Sequence, residues 1–522
     1  MRLFRLCQLP LWVLVSAMWG CDSKNDPEPD PGPVAPTAIS LTANTFNAAA
    51  AGDSQDITIT SPSRPKIEIP ATAKDWLSYS ESGVYKDYKL TVSLKAAANS
   101  KYEARSAEVT ISAAGVNSVK VAVSQAAKEV VPDPSLPSNT AVARTKELGL
   151  GWNLGNHFDA YSNGVANENA WGAPSATQAT FDGVKAAGFT SVRLPVTWLG
   201  HIGEAPDYKL DEAWLNRVYE VVSFAEKAGL KVIVNTHHDE DHGDAHWLNL
   251  AAAVNSEDSN AQIKEEIAAV WTQIANRFKD KGDFLMLESF NELIYGSEWS
   301  SSSNTEKKCD IINQWNQVFV DAVRATGGNN ETRWLGVPGY AASPSYLNYL
   351  KVPTDPAKKT MLAFHCYDPY DFTIRTDKDK SGDGLWVPPA DWGHTGSHFP
   401  LGEEQIKDLF SGIYNNYIAK DIPVYMGEFG CSMRDKKNEK AWAYYLYFFE
   451  YFVKCAKTFG ISAFLWDNAA EGVGQEHHPY IHHGTGKYMD YGEEPVKAMV
   501  KAWNTNDATY TLQSVYDAAP QF

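Results

Sequence analysis

The sequence is poor in three features that would each indicate a particular class of protein. Only 6 of its 522 residues are cysteines, and those beyond Cys21 are widely spaced without a CxxC pair, which disfavours zinc fingers and disulfide scaffolds. Basic residues number 46 against 64 acidic ones, and the net charge of -18 argues against nucleic-acid binding, which needs a basic face. The apolar run 6–18 is too short to cross a bilayer.

Aromatic residues, in contrast, are abundant, with 17 Trp, 25 Tyr and 21 Phe. Because 44% of the residues are hydrophobic, the chain has enough apolar material for a large core, which excludes disorder throughout. The length suits two or three folded units. Aromatic side chains act either as core packing or as flat platforms for neutral ligands, and sugars, whose ring faces are apolar, are such ligands.

The N-terminus predicts export. Arg2 and Arg5 precede the apolar run 6–18, and Gly20 precedes Cys21, a pattern typical of a secretory signal over residues 1–20. Cys21 resembles the lipidated cysteine of a bacterial lipoprotein, although Met18 and Trp19 depart from the usual small residues. The acidic, proline-rich stretch 21–36 is predicted to be a disordered tether, as in surface lipoproteins of Bacteroidetes-type bacteria. We therefore expect an outer-membrane lipid anchor through Cys21, at the cell surface or on the periplasmic face.

Residues 37–128 form the first predicted domain. Apolar and polar residues alternate over 88–95, 107–112 and 119–123, which predicts a small antiparallel β-sandwich of immunoglobulin-like type. Trp76-Leu77 and the closing run 121–125 resemble the BACON modules of Bacteroidetes lipoproteins. That resemblance implies either carbohydrate contact or a spacer, and the single Trp76 favours the spacer. A proline-rich linker is predicted over 129–139.

Residues 140–522 repeat one sequence pattern, in which a short run of apolar, β-branched residues is followed by a polar loop and then by a helical pattern. The predicted strands are 149–154, 191–194, 231–236, 284–290, 333–337, 361–365, 423–426 and 462–466. Helical patterns cover 212–228, 261–278, 315–325 and 439–458. Eight strand–helix units predict a (β/α)8 TIM barrel. The alternative, a doubly wound sheet, is disfavoured by the strand count and by the lack of a GxGxxG after the first strand.

Polar residues cluster where the predicted strands end, which is where a barrel carries its active site. They are Asn153, Asn156, Arg193, His237, His238, Asn291, Glu292, His365, Tyr367, Glu428, Trp466 and Asp467. Two carboxylates facing an aromatic-rich cleft fit glycoside hydrolysis, in which one donates a proton and the other attacks the anomeric carbon. Arg193 and Tyr367 are expected to hold Glu428 ionised, Asn291 to bond the sugar 2-hydroxyl, and Trp466 to provide a ring for the sugar.

These motifs together resemble glycoside hydrolase family 5, in its endoglucanase and xyloglucanase branch, similar to subfamily 4. The matching stretches are 151–156, 171–172, 193–195, 237–238, 291–292, 365–367, 427–430 and 466–468. The resemblance implies a retaining, cofactor-free and metal-independent double displacement, with Glu292 as acid/base and Glu428 as nucleophile about 5–5.5 Å apart. It also implies substrate contacts from Asn156, Arg193, His237, His238, Asn291, His365, Tyr367 and Trp466.

The implied activity is an endo-β-1,4-glucanase acting on xyloglucan, mixed-linkage glucan or cellulose, with an endo-β-1,4-mannanase as the alternative. Two features depart from the family pattern. Leu293 replaces the usual proline after the acid/base, and the histidine-rich stretch 471–487 is unusually long, so we expect it to shape one side of the cleft. A tethered enzyme of this kind is most simply a monomer.

Other interpretations remain open at this point. Glu288 lies deeper on strand four and is expected to be structural, whereas His238 is either a sugar contact or a support for one. Histidines and acids over 237–246, and histidines over 477–483, resemble metal ligands, which keeps a metal-dependent hydrolase as an alternative. A catalytically dead glycan-binding lipoprotein is another. Six tryptophans lie in loops at strand ends: Trp171, Trp198, Trp247, Trp299, Trp386 and Trp392. We expect two or three of these six to line an extended cleft.

Overall fold

The computed structural model describes residues 33–240, 246–375 and 389–522, with the backbone alone of 377–378 and 386–387. The predicted signal 1–20, Cys21, most of the predicted tether, Asp241, His242, Asp244 and the Trp386 side chain lie outside the described residues. Two compact units divide between Glu129 and Val130. In the described part of the chain, no helix combines the length and hydropathy needed to cross a membrane.

The first unit is a sandwich of two four-stranded sheets. Its strands, β1 to β8, are Ser40–Leu41, Thr45–Ala48, Asp53–Thr60, Lys66–Glu68, Leu77–Lys86, Lys89–Ala96, Arg105–Ser112 and Val119–Gln125. The sheet orders are β1-β3-β6-β5 and β2-β8-β7-β4. The predicted all-β sandwich is confirmed, with one difference: β2 and β8 pair in parallel. The long connection between them permits this pairing, which a short hairpin would not.

The core of the sandwich follows the alternation in the sequence. Leu90, Val92 and Leu94 of β6 are buried, as are Val121 and Val123 of β8, because successive side chains of a strand point to opposite faces. Trp76 is only 7% exposed, so it belongs to this core, as the sequence predicts. The guanidinium of Arg105 covers its ring at 4.5 Å from the centroid, a cation–π contact.

The second unit is a closed barrel of eight parallel strands, which confirms the predicted (β/α)8 fold. We number them one to eight: Leu150–Leu154, Ser191–Leu194, Lys231–Val234, Leu285–Glu288, Leu335–Pro338, Thr360–Cys366, Val424–Phe429 and Ser462–Asp467. Each pairs in parallel with the next, and strand eight returns to strand one. Strand seven runs three residues past its predicted end at 426, so Glu428 lies within the strand.

Helices follow the strands with apolar faces turned inward, as amphipathic patterning requires. They are Thr140–Leu148, Gln178–Ala187, Glu212–Lys227, Leu250–Asn255, Glu257–Arg277, Thr305–Ala325, Tyr370–Thr373, Gly402–Asn416, Glu439–Thr458, Glu493–Asn504 and Leu512–Asp517. Two-residue hairpin strands pair Tyr161–Ser162 with Val165–Ala166, and Asp377–Lys378 with Trp386–Val387. The described cysteines from Cys309 onward are buried and unbridged.

The lower interior of the barrel is apolar and closely packed. Met286, Met361, Tyr425 and Phe464 meet there in one cluster. Gly336 of strand five faces this cluster, and a Cβ at Gly336 would lie 2.2 Å from the Tyr425 hydroxyl oxygen, so a larger residue has no room. The Tyr425 hydroxyl donates to Glu288 at 2.5 Å, which marks the level where the interior becomes polar.

The predicted linker makes more contacts than its composition suggests. The Asp133 carboxylate accepts a hydrogen bond from the Leu512 main chain at 2.7 Å and pairs with Lys454 at 2.8 Å. Leu136 packs against the core of the second unit, and Asn139 caps helix Thr140–Leu148 through Val142. Residues 130–139 therefore lie against the barrel unit. Proline content predicts a stiff chain but does not reveal such contacts.

Candidate active site

Side chains from six barrel strands converge on one cleft of about 860 Å³ at the carboxyl ends of the strands. Of the ten catalytic and substrate-binding residues that the sequence predicts, eight line it: His237, His238, Asn291, Glu292, His365, Tyr367, Glu428 and Trp466. Arg193 lies beneath them. Asn156 is not among the lining residues; its backbone is left-handed and its N–H donates to Asp159, so it shapes a turn.

An irregularity in strand seven aims Glu428 at the cleft. Tyr425 faces the interior, and regular alternation would turn Glu428 the other way. However, His365 pairs with Glu428 while Phe364 pairs with Met426, which leaves Gly427 as an extra residue in a bulge, a device that re-aims side chains. A Cβ at Gly427 would lie 2.9 Å from His365 Nε2, so glycine is required there.

Glu292 and Glu428 form a close pair. One oxygen of each carboxyl group lies within 4.8 Å of the other, and His365 Nδ1 joins the same group. Retaining glycosidases hold their two carboxyl groups about 5–5.5 Å apart, whereas inverting ones leave a wider gap for a water molecule. The spacing therefore favours direct attack on the sugar by one carboxylate over attack by an intervening water.

The Glu428 carboxylate is held at both oxygens. Arg193 Nη1 donates to Oε1 at 2.7 Å, and the Tyr367 hydroxyl donates to Oε2 at 2.9 Å. Burial, followed by the charge of Glu428, raises the pKa of Tyr367 well above its ordinary value, so this hydroxyl keeps its proton and stays a donor. The orientation of the carboxylate is fixed as a nucleophile requires.

Arg193 connects the polar residues beneath the cleft. It is fully buried and bonds Asn153 and Asn291 at 3.1 and 2.9 Å besides Glu428. Its Nε and Nη2 both reach Glu288, the shortest contact being 2.7 Å. Although burial opposes its charge, Glu288 and Glu428 raise its pKa. Arg193 therefore positions the carboxylate and the amide rather than the sugar.

Glu288 is structural, as expected. It is 1% exposed and accepts hydrogen bonds from Asn235 and Tyr425 as well as Arg193. Burial raises its pKa, but the charge and hydrogen bonds of Arg193 outweigh burial and lower it overall. Sequence reasoning did not identify Asn235 or Tyr425. Asn235 lies two residues before His237 in the sequence, and that position was the available signal.

His365 supports Glu292. Its Nδ1 lies 2.7 Å from Glu292 Oε1, and burial lowers its pKa to about 4, so the ring is neutral at neutral pH. A neutral imidazole nitrogen donates to a carboxylate or accepts from a carboxylic acid, depending on its tautomer. The acid/base group of a retaining enzyme alternates between these two states, and His365 has a hydrogen-bonding role in each.

His237 and Trp466 form a flat wall. Their rings are parallel within 5°, with centroids 5.8 Å apart. Burial, and then the nearby His238, lower the pKa of His237 well below its ordinary value, so it stays neutral. Trp466 keeps 8% of its surface open, and this surface faces the cleft. Such a wall suits the apolar face of a sugar ring.

His238 carries a charge at neutral pH. Burial lowers its pKa, but the hydrogen bond and charge of Glu240 raise it to about 9. Its side chain is 26% exposed, and its ring lies 5.7 Å from that of Trp171. It lines the cleft, but its ring nitrogens face carboxylates, with Nδ1 at 3.6 Å from Glu240 Oε1 and Nε2 at 3.8 Å from Asp159 Oδ2. These contacts fit a support for the cleft wall as well as a sugar contact.

Among the residues that the structure describes, two groups of three side chains have the proximity of metal ligands, namely Asp159, His237 and His238, and the set Glu292, His365 and Glu428. Asp159 already accepts from the main chain of Asn156 and His157. In the predicted cluster 237–246, the Asp239 carboxylate accepts from the Trp198 main chain at 2.9 Å. These oxygens serve the protein's own hydrogen bonds.

The histidine-rich loop 471–487 borders the cleft, as expected, but through a different residue. His478 and His483 are buried, whereas Glu476 lines the cleft. Asp467 anchors the loop by accepting from Trp152 and from the Ile481 main chain, each at 2.8 Å. Sequence reasoning noticed the loop and its histidines but not this acid.

The loop tryptophans divide between cleft and core. Trp299 lines the cleft and is 54% exposed, and Trp171, 45% exposed, contacts His238. Trp198 and Trp392 are fully buried, and Trp247 packs against the core. The cleft also includes Tyr370, 54% exposed, which the sequence analysis missed. Leu293 is buried in the core.

A parallel eight-stranded barrel whose strands four and seven bring two carboxylates together in an open, aromatic-walled cleft is a glycoside hydrolase. Comparison with known proteins narrows the class. The cellulase model of glycosyl hydrolase family 5 matches residues 155–472, and the chain belongs to this family. The family is a retaining one of clan A. The BACON domain model matches residues 66–126.

Individual relatives agree with the family. The chain is 37% identical to an endoglucanase A of Paenibacillus barcinonensis, over 64% of this chain and 84% of the relative. It is 32% identical to a xyloglucan-specific endo-β-1,4-glucanase of Bacteroides ovatus, over 78% of this chain and 83% of that protein. A solved Bacteroidetes-affiliated cellulase linked with a polysaccharide utilization locus is 43% identical with a TM-score of 0.68, covering 74% of this chain and 98% of its own.

Proposed function

We propose that this chain is a retaining endo-β-1,4-glucanase that cleaves internal β-1,4-glucosidic bonds of plant β-glucans. The observation that carries the proposal is the carboxylate pair, with oxygens within 4.8 Å, in a cleft that the half-exposed Trp299 extends. An open cleft admits the middle of a polymer, whereas a closed pocket would accept only an end. The names of the relatives, endoglucanases and a xyloglucanase, support the same activity.

The proposed reaction has two displacements. In the first, Glu428 attacks the anomeric carbon while Glu292 gives its proton to the leaving oxygen, forming a glycosyl-enzyme ester. Arg193 and Tyr367 orient the attacking carboxylate. In the second, Glu292 takes a proton from water, which hydrolyses the ester with overall retention. Asn291, fixed by Arg193 at 2.9 Å, is placed to bond the sugar 2-hydroxyl.

The preferred glucan is tested by product profiles. Xyloglucan, barley mixed-linkage glucan, carboxymethyl cellulose and galactomannan are compared at equal loading, with products resolved by chromatography over time. We expect oligosaccharides of intermediate length from the β-glucans at early times, as endo cleavage produces. Greatest activity on galactomannan would replace the glucanase proposal with the mannanase, and monomeric or dimeric products alone would contradict endo action.

The proposed location is the cell surface, as a monomer anchored by lipid on Cys21. The supporting features are the predicted signal 1–20 and the proline-rich stretch 21–36. The test compares the wild-type protein with Cys21→Ser in cells labelled with a palmitate analogue. Label and outer-membrane association are expected for the wild type only, and protease added to whole cells should remove the wild-type enzyme. Equal label in both proteins would contradict the anchor.

A further inference from the structure

The catalytic cleft adjoins two further cavities beside the loops that follow strands five and six. The first cavity, of about 520 Å³, shares Asp368 and Tyr370 with the cleft. The second, of about 320 Å³, shares Leu409 with the first and Pro344 with the cleft. These two cavities together are the outer groove. It meets the cleft at two places, one at Tyr370 and one at Pro344.

The outer groove lies between two helical segments of the barrel unit. One is the short 3-10 helix Pro344–Tyr349, which follows strand five, and the other is helix Gly402–Asn416, which comes after strand six. Asn348 of the first segment and Gly412 of the second line the smaller cavity. The groove therefore leads outward from the cleft along the barrel surface.

Gly412 leaves open space over its helix. It lies in the helix interior, where glycine is unfavourable because of its conformational freedom. Apart from the backbone of its own helix, no described atom lies within 4 Å of a Cβ built at Gly412. Packing within the protein therefore does not require glycine here. Absence of a side chain also lets a ligand approach a backbone closely, and Gly412 lines the outer groove.

The wall of the larger cavity is held in place before any ligand binds. Phe399 lines this cavity with a φ of +52°, which is uncommon for a residue other than glycine. The neighbouring His398 N–H donates to Asp391 at 2.9 Å. Asp391 is only 1% exposed and also pairs with Lys440 at 2.6 Å. A wall fixed in this way loses little conformational entropy on binding.

The lining of the outer groove suits carbohydrate. Tyr370 is 54% exposed, and its ring, with Leu409, offers apolar surface. Asp368 and Gln405 line the same cavity, and no described residue forms a hydrogen bond with either side chain. A sugar has apolar ring faces and hydroxyl edges, so it can use both kinds of surface.

The position of the groove indicates which part of a glucan would reach it. The wall of His237 and Trp466 is the place for the sugar whose anomeric carbon is attacked. The chain on the other side of the scissile bond then runs toward the part of the cleft that Trp299, Pro344 and Tyr370 line. Two of these three residues also border the outer groove, so the leaving chain meets the groove as it leaves the cleft.

We propose that the outer groove binds the leaving-group end of a linear β-1,4-glucan chain, beyond the sugars held in the cleft. The inference rests on the proposed function and deepens it, because it assigns the path of the polymer outside the reaction site. The chain passes Tyr370 and lies over Gly412, where no side chain obstructs it. Contacts in the groove then favour cleavage positions that leave a long fragment on this side.

The test fills the groove by Gly412→Leu. Open space at this position accommodates the new side chain, and leucine favours a helix more than glycine does, so we expect the variant to fold. Asn415→Leu is the matched control, because Asn415 is exposed on the same helix and lines neither cavity. Tyr370→Ala is a second variant, which removes the ring that the cleft and the groove share.

The assay measures where the chain is cut. Cellohexaose carries heavy oxygen at its reducing end, and mass spectrometry records the labelled products at early times. The label stays on the leaving fragment, because the fragment bound to Glu428 takes its new oxygen from water. We expect G412L to lower the ratio of long to short labelled fragments about threefold or more, Y370A to change it in the same direction, and N415L to match the wild type. The ratio is taken within one sample, so partial misfolding does not imitate the change.

Several results would overturn the inference. Labelled fragments from G412L that are as long as those from the wild type, or longer, would contradict binding in the groove, and so would an equal shift in N415L. A loss confined to xyloglucan, with unchanged cleavage of cellohexaose, would assign the groove to a branch sugar instead. If G412L were inactive, an unchanged ratio in Y370A would overturn it. In all these cases the wild type still cleaves β-glucan, whereas a wild type inactive on every β-glucan would overturn the proposed function itself.

Discussion

Replacing Glu288 by glutamine tests whether this acid anchors the site or takes part in the chemistry. Among the described residues, the partners of its carboxylate are all donors: Arg193 Nε and Nη2, Asn235 Nδ2 and the Tyr425 hydroxyl. A glutamine amide group in this place must point its own donors at other donors. Rotation of the Tyr425 hydroxyl relieves only one of these donor–donor contacts. Arg193 also loses one of its two carboxylate partners, Glu288, and keeps only Glu428.

The expected cost follows from the burial of the pair. Removing one partner of a buried ion pair costs about 3–5 kcal/mol, because it leaves a charge uncompensated. Arg193 retains Glu428 at 2.7 Å, so we expect the lower end, about 3 kcal/mol. We also expect kcat/KM to fall about tenfold or more, since loss of part of the Arg193 anchor disturbs the orientation of Glu428.

Guanidinium unfolding followed by tryptophan fluorescence measures the cost. Outside the predicted export signal 1–20, the first unit contains a single tryptophan, Trp76. The fluorescence change therefore reports mainly the unfolding of the barrel unit. Glu265→Gln on helix Glu257–Arg277 is the control, because Glu265 is exposed and should change stability by less than about 0.5 kcal/mol. An E288Q protein as stable and active as the wild type would refute the anchoring argument. Full stability with no activity would instead assign Glu288 to the chemistry.

Further predictions concern the assigned roles. With added azide, Glu428→Gly should yield an α-glycosyl azide and Glu292→Ala a β-glycosyl azide, because azide replaces the nucleophile in one and the incoming water in the other; NMR of the products decides, and exchanged configurations would reverse the roles. Trp299→Ala should raise KM for polymer about three- to tenfold without changing the thermal midpoint, and an unchanged KM would remove Trp299 from the binding surface. The pKa of His238, about 9, lies above its ordinary value of 6.5, so the contribution of its charge to stability should be complete below pH 6.5 and lost as pH rises through 9. The free energy of unfolding of His238→Gln should therefore depend less on pH over that interval than that of the wild type. Parallel plots of unfolding free energy against pH would contradict the charged state.

The barrel and most of its site could be predicted because their signals are local. Buried parallel strands are short apolar runs, and all eight were recognised within a few residues of their bounds. The topology then places strand ends together, which brought Glu292 of strand four and Glu428 of strand seven to one cleft. Neither step needs knowledge of side-chain packing.

What the sequence did not reveal depends on contacts between distant residues. Glu476 enters the cleft because Asn468 and Ser432 hold its backbone, and Ser432 is 44 positions away along the chain. Asp133 meets Lys454 by the same kind of long-range closure. Asn156 was predicted for the cleft from its motif, yet the nearby Asn153 makes the contact with Arg193, a distinction set by backbone direction.

Arg193 also has a consequence for how the barrel assembles. Its partners Asn153, Glu288 and Glu428 lie 40, 95 and 235 positions away in sequence and come from strands one, four and seven. A strand inserted one residue out of register would turn its side chains to the opposite face. The Arg193 guanidinium would then be buried without its carboxylate partners, which would cost several kcal/mol of folding free energy. The residue that orients the proposed nucleophile, Glu428, is thus expected to penalise misassembled barrels, so that one buried charge would serve both catalysis and the fidelity of folding.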